Sequence, residues 1–425
     1  MFTRTRNTVS KILSAEFWVV FIFVLLGFFI AEMLFITIIV GLSFWILRWF
    51  ALGRLTIRTP SDWGIGLLVL MTGFTLWATT LSLLTYYQVL RIWSGVIFFY
   101  AIVNWTSSRA RLRTLTNLLV LSSLAVTILT VVGVDWTFEK LPVIPSSIYQ
   151  HLPSLLPDWF HRNVMAGYLV LLLPPILGIL IFAWRSLRIG ERIFLAVAAV
   201  LITTVLILTQ SRGALIAFGI VIALLITLRW RWGWILLPLG WSAGILIITY
   251  LGLNRFLNII SSGVNLGGLE GRLEIWSRAI YMIQDFPVLG IGMGRYQDVV
   301  DKLYPFFIQE PGSIPHAHNI LLQITVDLGI PGLIAWLSII IGILYICWIV
   351  FQQSKRLKNA WLTGLGVGLL LSQVAILIHG MFDAVTWGVM RVSPIVWMVW
   401  AIAAAAGILL FNSKMDQRKQ IPGSA

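Results

Sequence analysis

Two histidines separated by one residue are the side chains of this sequence best suited to acid–base chemistry. His316 and His318 lie in the sequence Pro-His-Ala-His-Asn at 315–319, and the chain has only five histidines. An imidazole has an unperturbed pKa of about 6.5, so it can accept a proton near neutral pH. The pair lies where a long polar segment rich in arginine meets an apolar run. This combination favours chemistry on an anionic, lipid-linked substrate at a membrane surface.

Two arginines are candidates for binding phosphate. Arg212 lies in a short turn between two apolar runs, and Arg272 opens an amphipathic segment. The planar guanidinium group suits bidentate phosphate contacts better than an ammonium group does. The structural alternative for Arg212 is an arginine that snorkels to the interface from a hairpin turn. The alternative for Arg272 is an ion pair with Glu270 or Glu274.

The histidine pair also has structural alternatives. His318 could cap a helix or lie at the interface, and His316 is interpreted as a structural or positioning residue, with Asn319 and Arg295 as further supporting residues. A His-x-His pair can ligate a metal ion, but no carboxylate or third histidine stands at ligand spacing nearby in the sequence. The sequence therefore favours a site without metal and without cofactor.

A second polar cluster lies near the end of the chain. His379, Asp383 and Arg391 fall between the last two apolar runs. We interpret this cluster as closing the cavity by ion pairing, with direct contact to the substrate as the alternative. Asp327 lies just before a Gly-Ile-Pro-Gly sequence and is expected to cap the helix or orient its neighbours.

The composition is that of a membrane protein. The chain of 425 residues is 59% hydrophobic and 11% charged, with a mean hydropathy of +0.94. Apolar runs of about 18 or more residues read as spanning helices, which predicts an all-α polytopic membrane protein with about 12 transmembrane helices and one large loop on the outer side. The segment 1–12 carries basic residues and precedes an apolar run without a cleavage site, which indicates a signal anchor. The predicted spans are about 16–31, 33–51, 63–82, 86–106, 114–133, 164–184, 193–210, 213–228, 233–251, 319–351, 361–379 and 393–411.

The positive charge of the chain is a topology signal. Twenty of the 30 lysines and arginines fall in alternate loops, whereas few acids do. The positive-inside rule makes these loops cytoplasmic and places both termini on that side. The net charge of +14 therefore does not indicate nucleic acid as a partner. The basic loops lie at 4–11, 48–58, 109–113, 185–192, 229–231, 355–358 and 414–419.

The chain divides into four parts. Residues 1–251 form a membrane domain of nine spans, 252–318 the large outer loop, which is periplasmic in the family that the motifs below resemble, 319–412 the last three spans, and 413–425 a cytoplasmic tail. Within the loop, Trp276, Ile280 and Ile283 predict one face of an amphipathic helix that opens at 271 and ends before Pro287. The three alternate glycines at 290, 292 and 294 predict a tight turn.

The tenth span is too long for one membrane crossing. Residues 319–351 as one helix would be roughly 50 Å long, against a hydrocarbon core of about 30 Å. The sequence Gly-Ile-Pro-Gly at 329–332 predicts a break, with a short outer helix at 319–328 and a span from about 332. His318 then lies at the start of the short helix, where the positive end of the helix dipole disfavours imidazolium and attracts phosphate.

These motifs together resemble the O-antigen ligase and polymerase superfamily. The strongest is His318-Asn319, followed after nine residues by Gly329 and after two more by Gly332. Further matching positions are Ser211-Arg212-Gly213, Gly271-Arg272, Trp276 and the stretch 285–292. The stretch 285–292 and residues 379–383 also look like a cyanobacterial branch that has been proposed to transport bicarbonate.

The resemblance implies a metal-independent, inverting glycosyltransferase of the bacterial inner membrane with a periplasmic active site. His318 would be the catalytic base, and Arg212 and Arg272 would bind the diphosphate. The implied partners are an undecaprenyl-diphosphate-linked glycan donor, a lipid A core or other glycan acceptor as in lipopolysaccharide synthesis, and membrane lipids. The alternatives are a membrane transporter for bicarbonate or a lipid-linked intermediate, and a scaffold of a polysaccharide assembly complex.

Overall fold

The structure is a computed structural model of the full chain. It describes residues 2–79, 83–136, 144–152, 155, 160–230, 232–252, 268–307, 312–384, 386–387 and 393–419. Every regular element within these ranges is a helix, which confirms the predicted all-α class.

The α-helices are numbered here in chain order. They are α1 (Phe2–Phe29), α2 (Glu32–Leu52), α3 (Asp62–Ala78), α4 (Leu83–Trp105), α5 (Arg109–Gly133), α6 (Ser146–Gln150), α7 (Arg162–Ala183), α8 (Ile189–Leu208), α9 (Arg212–Arg229), α10 (Leu236–Leu251), α11 (Gly268–Asp285), α12 (Tyr296–Leu303), α13 (Ile320–Arg356), α14 (Ala360–Gly380) and α15 (Pro394–Lys419). Short 3₁₀ turns at Trp184–Ser186 and Gly233–Ile235 extend α7 and precede α10.

The helices agree with a multi-pass membrane protein. Within the described residues, 11 helices are long and apolar enough to cross a membrane, and α3 is a shorter apolar helix of 17 residues. Together they account for the twelve predicted spans. The last helix continues to Lys419, so it extends into the predicted tail that begins at 413.

The centre of the membrane domain is the pair α7 and α14. Both helices are buried along most of their length. Their backbones approach closely because small residues face each other: a Cβ on Gly178 would lie 2.3 Å from the carbonyl oxygen of Gly364. Ser372 also donates a hydrogen bond of 2.7 Å to the carbonyl of Leu171 across this contact. Such contacts between small residues bring membrane helices close together, and here they fix the end of α14 that carries His379.

The predicted outer loop forms a small helical unit with its own core. Ile275, Ala279 and Met282 of α11 are fully buried and pack with Tyr296 and Val300 of α12. The structure confirms an amphipathic helix that ends before Pro287, and the predicted residues Trp276 and Ile283 pack against this core. Ile280 does not, because it is 45% exposed, and the fully buried positions lie one residue earlier along the helix.

The predicted break in the tenth span is present at Gly329. This residue has φ 70° and ψ −177° inside α13, so two helices meet at a kink. The stretch after the kink is about 27 residues or roughly 40 Å long, which suffices to cross the membrane. The stretch before it is largely buried, so it is part of the protein interior rather than a helix lying on the surface.

The glycine-rich turn covers the kink. Ile291 N and Gly292 N donate hydrogen bonds to the carbonyls of Val326 and Asp327, at 2.8 and 3.1 Å. A Cβ on Gly329 would lie 2.3 Å from the carbonyl oxygen of Val288. The turn therefore satisfies backbone groups that the broken helix leaves free, as apolar surroundings require, and glycine alone permits this approach.

Candidate functional site

Asp383 joins the two histidines into one cluster. Its Oδ1 atom lies 3.6 Å from His316 Nε2 and 3.6 Å from His318 Nδ1. The two imidazole rings have centroids 4.1 Å apart. Asp383 is 4% exposed, so its carboxylate acts on the rings in surroundings that screen charge poorly. Because Nδ1 of His318 faces Asp383, Nε2 is the ring nitrogen left to exchange a proton with a substrate.

The backbone presents His318 in an uncommon conformation. Its φ is +48°, a value that non-glycine residues rarely adopt. Asn319 follows as the N-cap of α13, and its Oδ1 accepts hydrogen bonds from the N–H groups of Leu321 and Leu322. His316 Nδ1 accepts a hydrogen bond of 3.2 Å from His318 N. Such conformations cluster at active sites, where surrounding contacts enforce them.

A buried polar network connects the two chain segments that form the site, the one before α13 and the one after α14. The amide N–H of Ala317 donates to Gln323 Oε1 at 2.7 Å, and Gln323 Nε2 donates to Asp327 Oδ1 at 2.8 Å. Trp387 Nε1 donates to the other oxygen of Asp327 at 2.8 Å. Asp327 thus links the segment that carries the histidines to the segment that follows Asp383. Of the two roles expected for Asp327, these contacts favour orienting its neighbours.

Both arginines are connected to Phe382, Arg272 directly and Arg212 through its neighbour Gly213. Arg272 Nη1 donates a hydrogen bond of 2.9 Å to the carbonyl of Phe382. Arg212 is the first residue of α9, and a Cβ on the adjacent Gly213 would lie 2.9 Å from Phe382 Cβ. Gly380 at the end of α14 lies against Ile320 at the start of α13 in the same way, at 2.6 Å. The site therefore brings together the N-termini of α9 and α13, and helix N-termini attract anions.

The electrostatics favour a neutral His316 beside an ionised Asp383. Burial lowers the pKa of His316 to about 3, and the neighbouring charge of His318 contributes. Burial alone would raise the pKa of Asp383, but the imidazoles of His318, His316 and His379 outweigh burial and hold that pKa well below its usual range. Burial lowers the pKa of Arg272, whereas the charge of Asp383 opposes this shift.

The sequence expectation of two separate clusters is wrong for the described residues. His379 is buried, and its carbonyl accepts the amide N–H of Asp383 at 3.0 Å. Asp383 therefore belongs to the histidine pair. Arg391 lies outside the described residues. Arg295 forms an ion pair of 3.0 Å with Asp298 on the surface of the outer unit.

The sequence predicts no carboxylate near the two histidines, but the fold places Asp383 beside them. The ligand atoms of His316, His318 and Asp383 all lie within 4.8 Å of one another, so these residues could hold a metal ion. The carboxylate was not visible as a neighbour because it lies 65 positions beyond His318 in the chain. The three residues therefore supply the set of ligands that the sequence did not reveal.

Two further residues, to which the sequence alone gave no role, are His161 and Arg162, at the start of α7. The charge of Arg162 interacts with that of Arg212, and the charge of His161 acts on His316. His161 is the N-cap of α7, so α7 is a third helix that begins near the site. The adjacent His161-Arg162 pair at the end of a loop was the only signal in the sequence.

The fold and the site define a polytopic membrane protein with a buried histidine–aspartate cluster beside two arginines. Residues 197–337 match the family model for O-antigen ligase. This match supports the resemblance to the O-antigen ligase superfamily that the motifs indicated. The matched region covers about a third of the chain and includes Arg212, Arg272 and His318, but not Asp383. No curated protein matches the sequence.

Proposed function

We propose that the protein is a membrane glycosyltransferase of the O-antigen ligase or polymerase type. In this proposal it transfers a glycan from undecaprenyl diphosphate to a sugar hydroxyl at the periplasmic face of the bacterial inner membrane. The acceptor is lipid A core in a ligase and another lipid-linked chain in a polymerase. The family match supports the class of reaction. The observation that carries the chemistry is the approach of His318 to Asp383, 3.6 Å apart, beside two arginines.

In the proposed mechanism His318 is the general base. Nε2 takes the proton of the acceptor hydroxyl while that oxygen attacks the anomeric carbon. Asp383 faces Nδ1, keeps the proton on that nitrogen and stabilises the imidazolium that forms. The bond between the anomeric carbon and the diphosphate oxygen breaks, and the electron pair leaves with the diphosphate. A single displacement inverts the configuration at the anomeric carbon.

Arg212 and Arg272 bind the diphosphate in this proposal. Charge grows on the leaving oxygen as the bond breaks, and fixed cations in a site that excludes water stabilise it. The N-terminus of α9 adds to this field because Arg212 is its first residue. Diphosphate needs no protonation to leave, so the mechanism requires no general acid and no metal ion.

The test is glycan transfer by purified protein in nanodiscs, with undecaprenyl-diphosphate oligosaccharide as donor and EDTA present. We expect wild type to transfer and His318→Ala and Arg212→Ala to lose activity while remaining folded. Full activity in both variants would contradict the assigned site. Activity of wild type that EDTA abolishes and Zn²⁺ restores would replace the metal-free mechanism with one based on the His316–His318–Asp383 cluster.

The competing function is transport of bicarbonate or a lipid-linked intermediate. In transporters, broken helices and ionisable groups gather near the middle of the membrane. In this chain the stretch of α13 after Gly329 is long enough to cross the membrane by itself, which favours a kink near one interface. Uptake by proteoliposomes without donor consumption would support the transporter instead.

A further inference from the structure

A groove on the arginine-rich face of the protein has no part in the proposed reaction. It has a volume of about 660 Å³, within the roughly 300–1,000 Å³ typical of ligand sites. Its walls are the second half of α13, with Tyr345 and Ile349, and the last turns of the apolar part of α15, with Ile408 and Phe411. Its end is closed by the segment that connects α2 to α3.

The groove exists because the two helices touch at a small residue. A Cβ on Gly407 of α15 would lie 2.7 Å from Ile346 Cγ2 of α13, so the helices are close at the floor of the groove. Tyr345 is 61% exposed and Phe411 is 68% exposed. The walls are thus apolar side chains open to the lipid phase, and their shape suits an acyl chain.

Two arginines lie at the charged end of the groove. Arg54 and Arg58 line it together with Thr56. Within the part of the chain that the structure describes, neither guanidinium group has a carboxylate within 4.0 Å or a hydrogen-bond acceptor. The segment 53–61 contains no acidic residue. Asp62, the nearest acid along the chain, accepts hydrogen bonds from the hydroxyls of Thr59 and Tyr100.

We propose that this groove binds an anionic phospholipid of the surrounding membrane, with its phosphate on Arg54 and Arg58 and an acyl chain between α13 and α15. Charge complementarity identifies the ligand, because two cations without protein partners border an apolar channel at the membrane surface. Basic pockets between spanning helices on the cytoplasmic side are suited to anionic headgroups. The positive-inside rule predicts that this face is cytoplasmic, so the site is separate from the proposed active site and independent of it.

The test is native mass spectrometry of delipidated full-length protein titrated with dioleoyl-phosphatidylglycerol or dioleoyl-phosphatidylcholine. Wild type is expected to retain the anionic lipid more tightly, and this preference should weaken with salt. The double substitution Arg54→Gln and Arg58→Gln should weaken phosphatidylglycerol binding roughly tenfold or more and leave phosphatidylcholine binding unchanged. Ile349→Trp fills the apolar channel and should weaken binding of both lipids.

The matched control is the pair Arg109→Gln and Arg185→Gln. Both arginines are exposed on the same face and neither lines the groove, so the loss of charge is equal. Equal binding of the two lipids by wild type would overturn the proposal. It would also be overturned if the control pair weakened phosphatidylglycerol binding as much as the groove pair did. Thermal unfolding confirms that each variant is folded before its lipid binding is compared.

Discussion

Asp383→Asn is the substitution that isolates the electrostatic part of the site. Asparagine has the same shape, and its side-chain oxygen can still accept the hydrogen bond of 2.9 Å from Ala384 N. The carboxylate charge beside His318 and His316 is lost. The fold should therefore be retained, and the change should act on the imidazolium that forms when His318 takes a proton.

The size of the effect follows from the distance. Two unit charges 3.6 Å apart interact with about 5 kcal/mol at an effective dielectric constant of about 20, which corresponds to roughly three orders of magnitude in rate. His316 shares the same carboxylate oxygen, and the site relaxes when the charge is removed. We therefore expect kcat to fall roughly 100- to 1,000-fold, with a smaller change in the KM for the donor.

The assay is steady-state glycan transfer at several donor concentrations, with Asp298→Asn as the control. Asp298 is 54% exposed and pairs with Arg295 at the surface, a contact worth about 1 kcal/mol or less. The control should keep wild-type activity. A kcat for Asp383→Asn within about threefold of wild type would refute the claim that this carboxylate stabilises the charged base.

Three other changes test the surroundings of the site. The folded protein lowers the pKa of His316 from about 6.5 to about 3, so the unfolded chain binds the proton more tightly and stability should fall as the pH drops through this window. The melting temperature of His316→Gln should therefore depend less on pH than that of wild type. An equal dependence of the two melting temperatures on pH would contradict this. Gln323→Leu leaves the amide N–H of Ala317 unpaired, which should lower the free energy of unfolding by about 1–3 kcal/mol, and with it the melting temperature. The value of kcat should fall as well, and an unchanged kcat would show that the network does not position the histidines. Gly329→Ala places a Cβ 2.3 Å from a carbonyl oxygen at positive φ and should lower the melting temperature strongly, whereas Gly66→Ala, with nothing within 4 Å, should not.

The membrane architecture was predictable because apolar runs and basic loops are local signals. The helix ends agree with the predicted spans to within a few residues at most positions, and the kink at Gly329 followed from the length of its span. The spacing within α11 predicted Trp276 and Ile283 as core contacts, but it did not predict which positions are fully buried. The buried face depends on α12 and on the segment before α13, which pack against it, and Ile280 consequently remains exposed.

The catalytic candidates were predictable as types but not as a geometry. His318, Arg212 and Arg272 were identified by motifs, since their neighbours in sequence are characteristic. The proximity of Asp383 to the histidines depends on how α14 packs against α9 and α13, a contact between residues far apart in the chain. For the same reason, the sequence does not reveal that Arg162 lies near Arg212 or that a carboxylate joins the His316–His318 pair.

The most direct test of the central claim separates donor binding from chemistry in His318→Gln. Donor affinity and single-turnover transfer should be measured on the same nanodisc preparation, with Arg272→Gln in parallel. The account predicts that His318→Gln binds donor within a few-fold of wild type but transfers roughly 100-fold more slowly or worse, since general-base catalysis contributes about 10²–10⁴-fold. Arg272→Gln should lose donor affinity. A His318→Gln variant that transfers glycan at the wild-type rate would contradict the account.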